Sequence, residues 1–186
     1  MTAKLGAGGG LSLFNAAGST HVIADVAGWY GDDTDTSGAR FHPLVPSRIL
    51  DSRDSAPLGP DAAMTLQVAG RGGVPATGAS AVVMNLTVTA PTAASYVTVF
   101  PAGDALPLAS NVNFDAGTTT PNLVTAKLGA GGGVQLYNAA GSAHVIVDVA
   151  GWYDEATLAT GAGLHPNNIA GSTHVIVDVA GWFGAG

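Results

Sequence analysis

The sequence contains three histidines that could act together with carboxylates. His21, His144 and His174 each stand four residues before an aspartate, which is Asp25, Asp148 or Asp178. On a β-strand, residues i and i+4 share a face but lie roughly 13 Å apart, so one strand cannot form a catalytic His–Asp pair. The repeated spacing favours an architectural role, such as a hydrogen bond to an adjacent loop. A zinc site is the weaker alternative, because it needs ligands brought from elsewhere in the chain.

An acidic stretch offers a weak calcium candidate. Asp33, Asp35 and Ser37 stand at alternate positions before Gly38, as in the opening of a calcium loop that supplies hard oxygen ligands. The twelfth position is Leu44 rather than a glutamate, and no flanking helices are evident. A solvated acidic linker is therefore the favoured interpretation, and we expect neither a metal nor a cofactor.

The segment SRILDSR holds the strongest cluster of opposite charges. Arg48, Asp51 and Arg53 lie close in sequence, and on a strand Asp51 and Arg53 would share a face. An arginine lowers the pKa of a neighbouring carboxyl group, which suits a nucleophile but not a general acid. A structural ion pair is the favoured interpretation. No G-x-S-x-G, H-E-x-x-H, P-loop or G-x-G-x-x-G motif occurs in a suitable context, so the sequence predicts a protein that is not an enzyme.

Three tryptophans could stack on sugar rings. Trp29, Trp152 and Trp182 each precede another aromatic residue. Neighbouring strand residues face opposite ways, so we expect one of each aromatic pair to be buried and the other exposed. An exposed ring beside Asn and Asp would suit a polysaccharide, whereas a ring that seals the core is the favoured alternative.

Composition limits the partners. The 186 residues include 6 Lys and Arg against 13 Asp and Glu, which gives a net charge of -7. This excludes a basic nucleic-acid binder and disfavours anionic membrane surfaces. No apolar run reaches the length of about 18 residues that membrane insertion requires. Cysteine is absent, which fits an exported protein and removes thiolate metal sites.

Internal repeats organise the chain. Residues 2–30 and 125–153 differ at only five of 29 positions, and residues 171–183 repeat 141–153 with two changes. We therefore predict five segments: the tail of a preceding repeat (1–30), a linker (31–40), a complete repeat (41–153), a second linker (154–163), and a truncated repeat (164–186) with a second copy of the terminal strand.

The elements that must hold these residues are β-strands. Alternating and β-branched runs predict strands at 64–68, 81–89, 96–100, 110–114, 122–126, 134–138 and 144–149. We expect hairpins at 81–100 and 134–149, and hairpin turns at the glycine runs 8–10 and 131–133. The fold class is all-β, an antiparallel β-sandwich or small barrel.

Several ordered motifs carry a family resemblance. The stretches PLVPSRILDSR, AVVMNLTVT, SNVNF and HVIVDVAGWY resemble an uncharacterised tandem repeat of secreted and cell-surface actinobacterial proteins. The resemblance covers residues 41–153 and both flanking tails. It implies a non-catalytic extracellular module and supplies no catalytic residues.

Two functional hypotheses follow. The first is a structural module that self-assembles by strand exchange into filaments or arrays, so that its partners are copies of itself or neighbouring repeats. The alternative is a binding module for cell-wall or other polysaccharide. The strand-pairing candidates are the corresponding residues of the three tails: His21, Val22, Ile23, Asp25, His144, Val145, Ile146, Asp148, His174, Val175, Ile176 and Asp178.

Overall fold

The computed structural model describes residues 2–30, 38–155 and 174–178, and all of its regular elements except one short turn are β-strands. The chain divides into two compact units. The central unit comprises residues 40–155, and the terminal unit combines residues 1–39 with 156–186. The central unit contains the predicted complete repeat. No helix among the described residues is long and apolar enough to cross a bilayer.

Eleven strands are described. They are β1 (Thr2–Lys4), β2 (Asp25–Tyr30), β3 (Phe41–Asp51), β4 (Ala62–Gln67), β5 (Ala79–Thr89), β6 (Ser95–Pro101), β7 (Val112–Phe114), β8 (Thr120–Lys127), β9 (Gly133–Asn138), β10 (His144–Asp154) and β11 (His174–Asp178). A single 3₁₀ turn, Ser52–Asp54, follows β3. Each strand predicted within 64–149 overlaps an observed one.

The central unit is a β-sandwich of two antiparallel four-stranded sheets. The first sheet has the order β3-β10-β5-β8 and the second has the order β4-β9-β6-β7. Buried side chains from both sheets form one continuous core. The prediction of an all-β antiparallel sandwich is confirmed.

Period-2 alternation decides which side chains enter the core. On β10, Val145, Val147 and Val149 are fully buried, as the alternation predicts. His144 and Asp148, on the opposite face, are partly exposed. On β5, four alternate apolar side chains are fully buried: Val82, Met84, Leu86 and Val88. Since a shift of one residue would turn these side chains outward, the pattern fixes the register of both strands.

The predicted hairpins are wrong. β5 pairs with β8 and β10, whereas β6 pairs with β7 and β9, so the chain crosses between sheets after β5. The link from β9 to β10 also crosses, as does the glycine turn between β8 and β9. Only β6 and β7 are consecutive strands that pair within the central unit. In a sandwich, a short turn serves equally well to reach the facing sheet.

The first sheet carries prolines on both of its edge strands. Pro43 and Pro46 lie in β3, and Pro121 lies in β8. Proline lacks a backbone N–H group and is tolerated in sheets mainly at such edges.

The terminal unit contributes a three-stranded antiparallel sheet with the order β1-β11-β2. Its middle strand comes from the last repeat copy, and its outer strands come from the first tail.

Candidate functional site: the strand-pairing tails

His144 fastens the start of β10 to the 3₁₀ turn. Its Nδ1 lies 2.9 Å from the carbonyl oxygen of Ser52, which can only accept, so the ring donates. The hydroxyl oxygen of the same serine accepts a hydrogen bond of 2.8 Å from the backbone N–H of Val145. β3 ends at Asp51, so no further residue of that strand can accept from the Val145 N–H. The Ser52 hydroxyl takes the place of the missing strand carbonyl. The predicted hydrogen bond from this histidine to a neighbouring loop is confirmed.

Asp148 has a different partner. It forms a bidentate ion pair with Arg48, with distances of 2.8 Å from Nε to Oδ1 and 3.1 Å from Nη2 to Oδ2. The hydrogen bond to Asp148 raises the pKa of Arg48. His144 and Asp148 therefore make separate structural contacts across neighbouring elements and do not form a catalytic pair with each other.

Asp51 forms ion pairs with both arginines of the charged cluster. Its carboxylate accepts from the Arg53 guanidinium at 2.9 Å (Nε) and 2.6 Å (Nη2), from the Arg53 backbone N–H at 3.2 Å, and from Arg48 Nη1 at 3.1 Å. The guanidinium hydrogen bond from Arg53, followed by its backbone bond, holds the pKa of Asp51 well below its usual range. The expected ion pair is present. The condition for a shared strand face is not met, because β3 ends at Asp51 and Arg53 lies in the turn.

Asn138, at the end of β9, is a structural residue that the sequence reasoning missed. It is fully buried, and its Nδ2 lies within 3.3 Å of four carbonyl oxygens, while its Oδ1 accepts from Ser95 at 2.9 Å. The carbonyls belong to Leu58, Gly59, Ala140 and Gly141. The asparagine at the equivalent position 15 of the first tail was the available signal, since both precede an Ala-Ala-Gly turn.

β11 occupies in the terminal unit the place that β5 occupies in the central unit. β1 repeats the end of β8, and β2 repeats part of β10, with an offset of 123 residues. In the central unit, β5 lies between β8 and β10, and in the terminal unit β11 lies between β1 and β2. The tail thus accepts a strand in the middle of its sheet.

The registers of the two insertions agree pair by pair. Both ladders skip one alanine of the tail strand at the same point, Ala27 in one and Ala150 in the other. Against β2, the order is His174↔Tyr30, Val175↔Trp29, Ile176↔Gly28, Val177↔Val26 and Asp178↔Asp25. Against β10, it is Ala81↔Tyr153, Val82↔Trp152, Val83↔Gly151, Met84↔Val149 and Asn85↔Asp148. The copy expected to act as a terminal strand therefore stands at the position of a central strand.

The rest of the first tail lacks ladder partners. Residues 10–24 contain no strand, although the equivalent residues of the central unit include β9 and the start of β10. His21 lies in this stretch, Val22 and Ile23 are 53% and 63% exposed, and Asp25 begins β2.

The tryptophans do not follow the expected arrangement. Trp152 and Tyr153 are both partly buried, and Trp152 stacks on His42 with a centroid distance of 4.1 Å and an interplanar angle of 10°. Trp29 is 58% exposed, and its neighbour Tyr30 is exposed too. The expected split between one buried and one exposed aromatic is wrong for both pairs. Trp182 lies outside the described residues.

The calcium candidate formed by Asp33, Asp35 and Ser37 also lies outside the described residues. Within the part of the chain that the structure describes, no three His, Asp or Glu side chains come together as a metal site would require. An open groove of about 520 Å³ in the central unit has Lys127 and Glu155 in its lining, together with mostly small residues.

In comparisons with known proteins, no family model, no curated protein and no solved structure matches this chain.

Proposed function

We propose that this chain is a non-catalytic, extracellular structural module that joins copies of itself, or neighbouring repeats, by adding a strand to an incomplete sheet. The observation that carries the proposal is the register of β11, which stands between β1 and β2 as β5 stands between β8 and β10. Strand addition uses main-chain hydrogen bonds for affinity and alternate side-chain positions for selectivity.

The inserted sequences differ but share their pattern. His174–Asp178 reads HVIVD, and the corresponding part of β5, residues 81–85, reads AVVMN. Apolar residues stand at the second, third and fourth positions of both. The position between β1 and β2 therefore selects an apolar strand of suitable length, and the terminal segment of a neighbouring repeat meets that requirement.

Charged groups in the central unit support a structural role. The carboxylates of Asp51 and Asp148 are engaged by Arg48 and Arg53, and His144 donates to the turn after β3. These contacts stabilise the junction of β3 and β10. The extracellular location rests on the absence of cysteine and on the sequence resemblance.

The test is the mass of the purified chain as a function of concentration, measured by light scattering and followed by negative-stain imaging. We expect the mean mass to rise with concentration, because β11, which pairs here with β1 and β2 of its own chain, can exchange into the sheet of another copy. Ile176→Pro removes a backbone donor in the middle of β11 and should abolish the rise, whereas Ile176→Val should retain it. A wild-type chain that stays monomeric at millimolar concentration would contradict the proposal.

One observation favours polysaccharide binding as a second candidate. The side chain of Trp29 is 58% exposed, and an exposed indole can stack on a sugar ring. Retention on insoluble polysaccharide should then be lost with Trp29→Ala and kept with Trp152→Ala, since Trp152 already stacks on His42. Equal retention of both variants would exclude this use of Trp29.

A further inference from the structure

The first tail is a spare copy of a segment that the sandwich uses. Residues 125–153 supply the end of β8, all of β9 and most of β10, and residues 2–30 repeat them with five differences. We call residues 41–124, which make up the rest of the sandwich, the body. Each chain therefore has one body and two segments of nearly the same sequence that could complete it.

Two turns of the spare segment have the same local hydrogen bonds as those of the segment in use. In the first tail, the N–H of Gly6 donates to the carbonyl oxygen of Gly10 at 2.9 Å, and at the equivalent positions Gly129 donates to Gly133 at 2.9 Å. The turn is closed by a hydrogen bond within the segment itself, so the segment loses less conformational freedom when it binds.

The asparagine turn is preformed as well. The Asn15 side chain donates to the carbonyl oxygen of Gly18 at 2.9 Å, and Asn138 donates to Gly141 at the same distance. Asn138 also reaches the Leu58 carbonyl in the body. The spare segment thus presents the same amide in the same local turn.

Apolar side chains of the spare segment are exposed where their counterparts are buried. Leu13, Val22 and Val26 are 64%, 53% and 68% exposed, whereas the residues 123 positions later, Leu136, Val145 and Val149, are fully buried. The surface that buries these counterparts belongs to the body, whose β3 and β5 flank β10 and whose β4 and β6 flank β9. The complementary surface for the exposed side chains is therefore known.

We infer that residues 2–30 of one copy can replace residues 125–153 in the body of a second copy, in the register that the latter now hold. This goes beyond the proposed function, in which β11 is the inserted strand: here β1 and β2 leave β11 and become the inserted strands themselves. Exchange of identical elements between protomers is a low-cost route to association, because the new interface reproduces the packing and hydrogen bonds of the one that it replaces.

The five differences make the spare segment the weaker competitor. Ala24 replaces Val147, which is fully buried, and Phe14 replaces Tyr137, whose hydroxyl bonds to Asp61 at 2.9 Å. The chain's own segment also benefits from being covalently tied to its body. Exchange should consequently increase with protein concentration and whenever residues 125–153 are weakened.

The experiment uses the absence of cysteine in the natural sequence. Thr89 is opposite His144, so the inferred register places His21 of a donor opposite Thr89 of an acceptor. Directly opposed residues in antiparallel strands lie about 4.5–5.5 Å apart between Cα atoms, which suits a disulfide. Full-length His21→Cys and Thr89→Cys chains are refolded together at high concentration and oxidised, and the linked peptides are identified by mass.

We expect a covalent dimer joined between positions 21 and 89, in a yield that rises with concentration. Adding Val26→Asp to the donor should abolish it, since the equivalent Val149 is fully buried; Val26 itself is mostly exposed, so this change spares the donor's own fold. Adding Val149→Asp to the acceptor should raise the yield several-fold. If that acceptor fails to fold alone, the Thr89→Cys chain with an intact segment still gives the decisive result.

A 21–89 yield no higher than that of the Val26→Asp donor overturns the inference. If the wild-type chain still assembles under the same conditions, the proposed function stands without this donor segment. If the disulfide forms while the wild-type chain remains monomeric in light scattering, the inference stands and the proposed assembly function fails.

Discussion

Ser52 offers a direct measure of how the end of a strand is stabilised. Its side chain is 1% exposed, and its hydroxyl accepts from the backbone N–H of Val145, which is itself fully buried. Ser52→Ala removes this acceptor without changing the carbonyl to which His144 donates. The substitution therefore leaves one buried backbone donor without its present partner.

The expected cost follows from that donor. A buried polar group that loses its hydrogen bond costs about 1–3 kcal/mol, so we expect the free energy of unfolding to fall by about 2 kcal/mol. At about 4 °C per kcal/mol for a domain of this size, the melting midpoint of the central unit should fall by roughly 8 °C. Thermal and urea unfolding, followed by circular dichroism at micromolar concentration, measure both quantities.

Ser55 provides the matched control. It lies three residues later, is exposed, and makes only a 3.4 Å hydroxyl contact with the Ser52 carbonyl. Ser55→Ala should change the free energy of unfolding by less than about 0.5 kcal/mol. A Ser52→Ala protein as stable as the Ser55→Ala protein would refute the view that this hydroxyl replaces a missing strand residue.

Three further changes test the charged cluster, the core and a turn. Arg53 lowers the pKa of Asp51 in the folded protein below its value in the unfolded chain, which is near 3.8. The carboxylate therefore stabilises the fold fully above pH 3.8, and this stabilisation is lost as the pH falls through the folded-state pKa. In an acid titration, Asp51→Asn should make the free energy of unfolding less dependent on pH across this range. Leu86→Ala should cost about 2–5 kcal/mol in urea unfolding, because the side chain is fully buried. Gly72→Ala should lower the melting midpoint, since a Cβ there would lie 2.8 Å from Ile49 Cγ2 and φ is +58°.

Each of these changes has its own check. An Asp51→Asn protein with an unchanged acid profile would show that the carboxylate adds nothing to stability. Leu123→Ala, at a side chain that is 62% exposed, should cost less than about 0.5 kcal/mol. Gly78 has φ of +82° but open space around its Cα, so Gly78→Ala should be less harmful than Gly72→Ala. The reverse order would contradict the steric argument.

The strands of the central unit could be predicted because alternation is a local property. Val145, Val147 and Val149 turn inward as their spacing requires. The connections between strands could not be predicted, because a short turn has the same composition whether the next strand stays in the sheet or crosses to the facing sheet. Only the pairing of β5 with β8 and β10 distinguishes the two cases, and those contacts are distant in sequence.

The site was only partly predictable for the same reason. Repetition of His144 and Asp148 indicated structural roles, but nothing nearby in sequence identified their partners, Ser52 and Arg48, which lie 92 and 100 residues away. The position of β11 was missed because HVIVD repeats the start of β10. That identity predicted a strand placed like β10, whereas β11 takes the position equivalent to that of β5.

The prolines at the margins of the first sheet have a consequence for concentrated solutions of the protein. A growing cross-β fibril recruits each new layer through an unbroken row of main-chain donors and acceptors. Pro43, Pro46 and Pro121 interrupt that row at both margins of the sheet. Neighbouring molecules therefore find no continuous row of donors and acceptors to which they could add strands along these two margins.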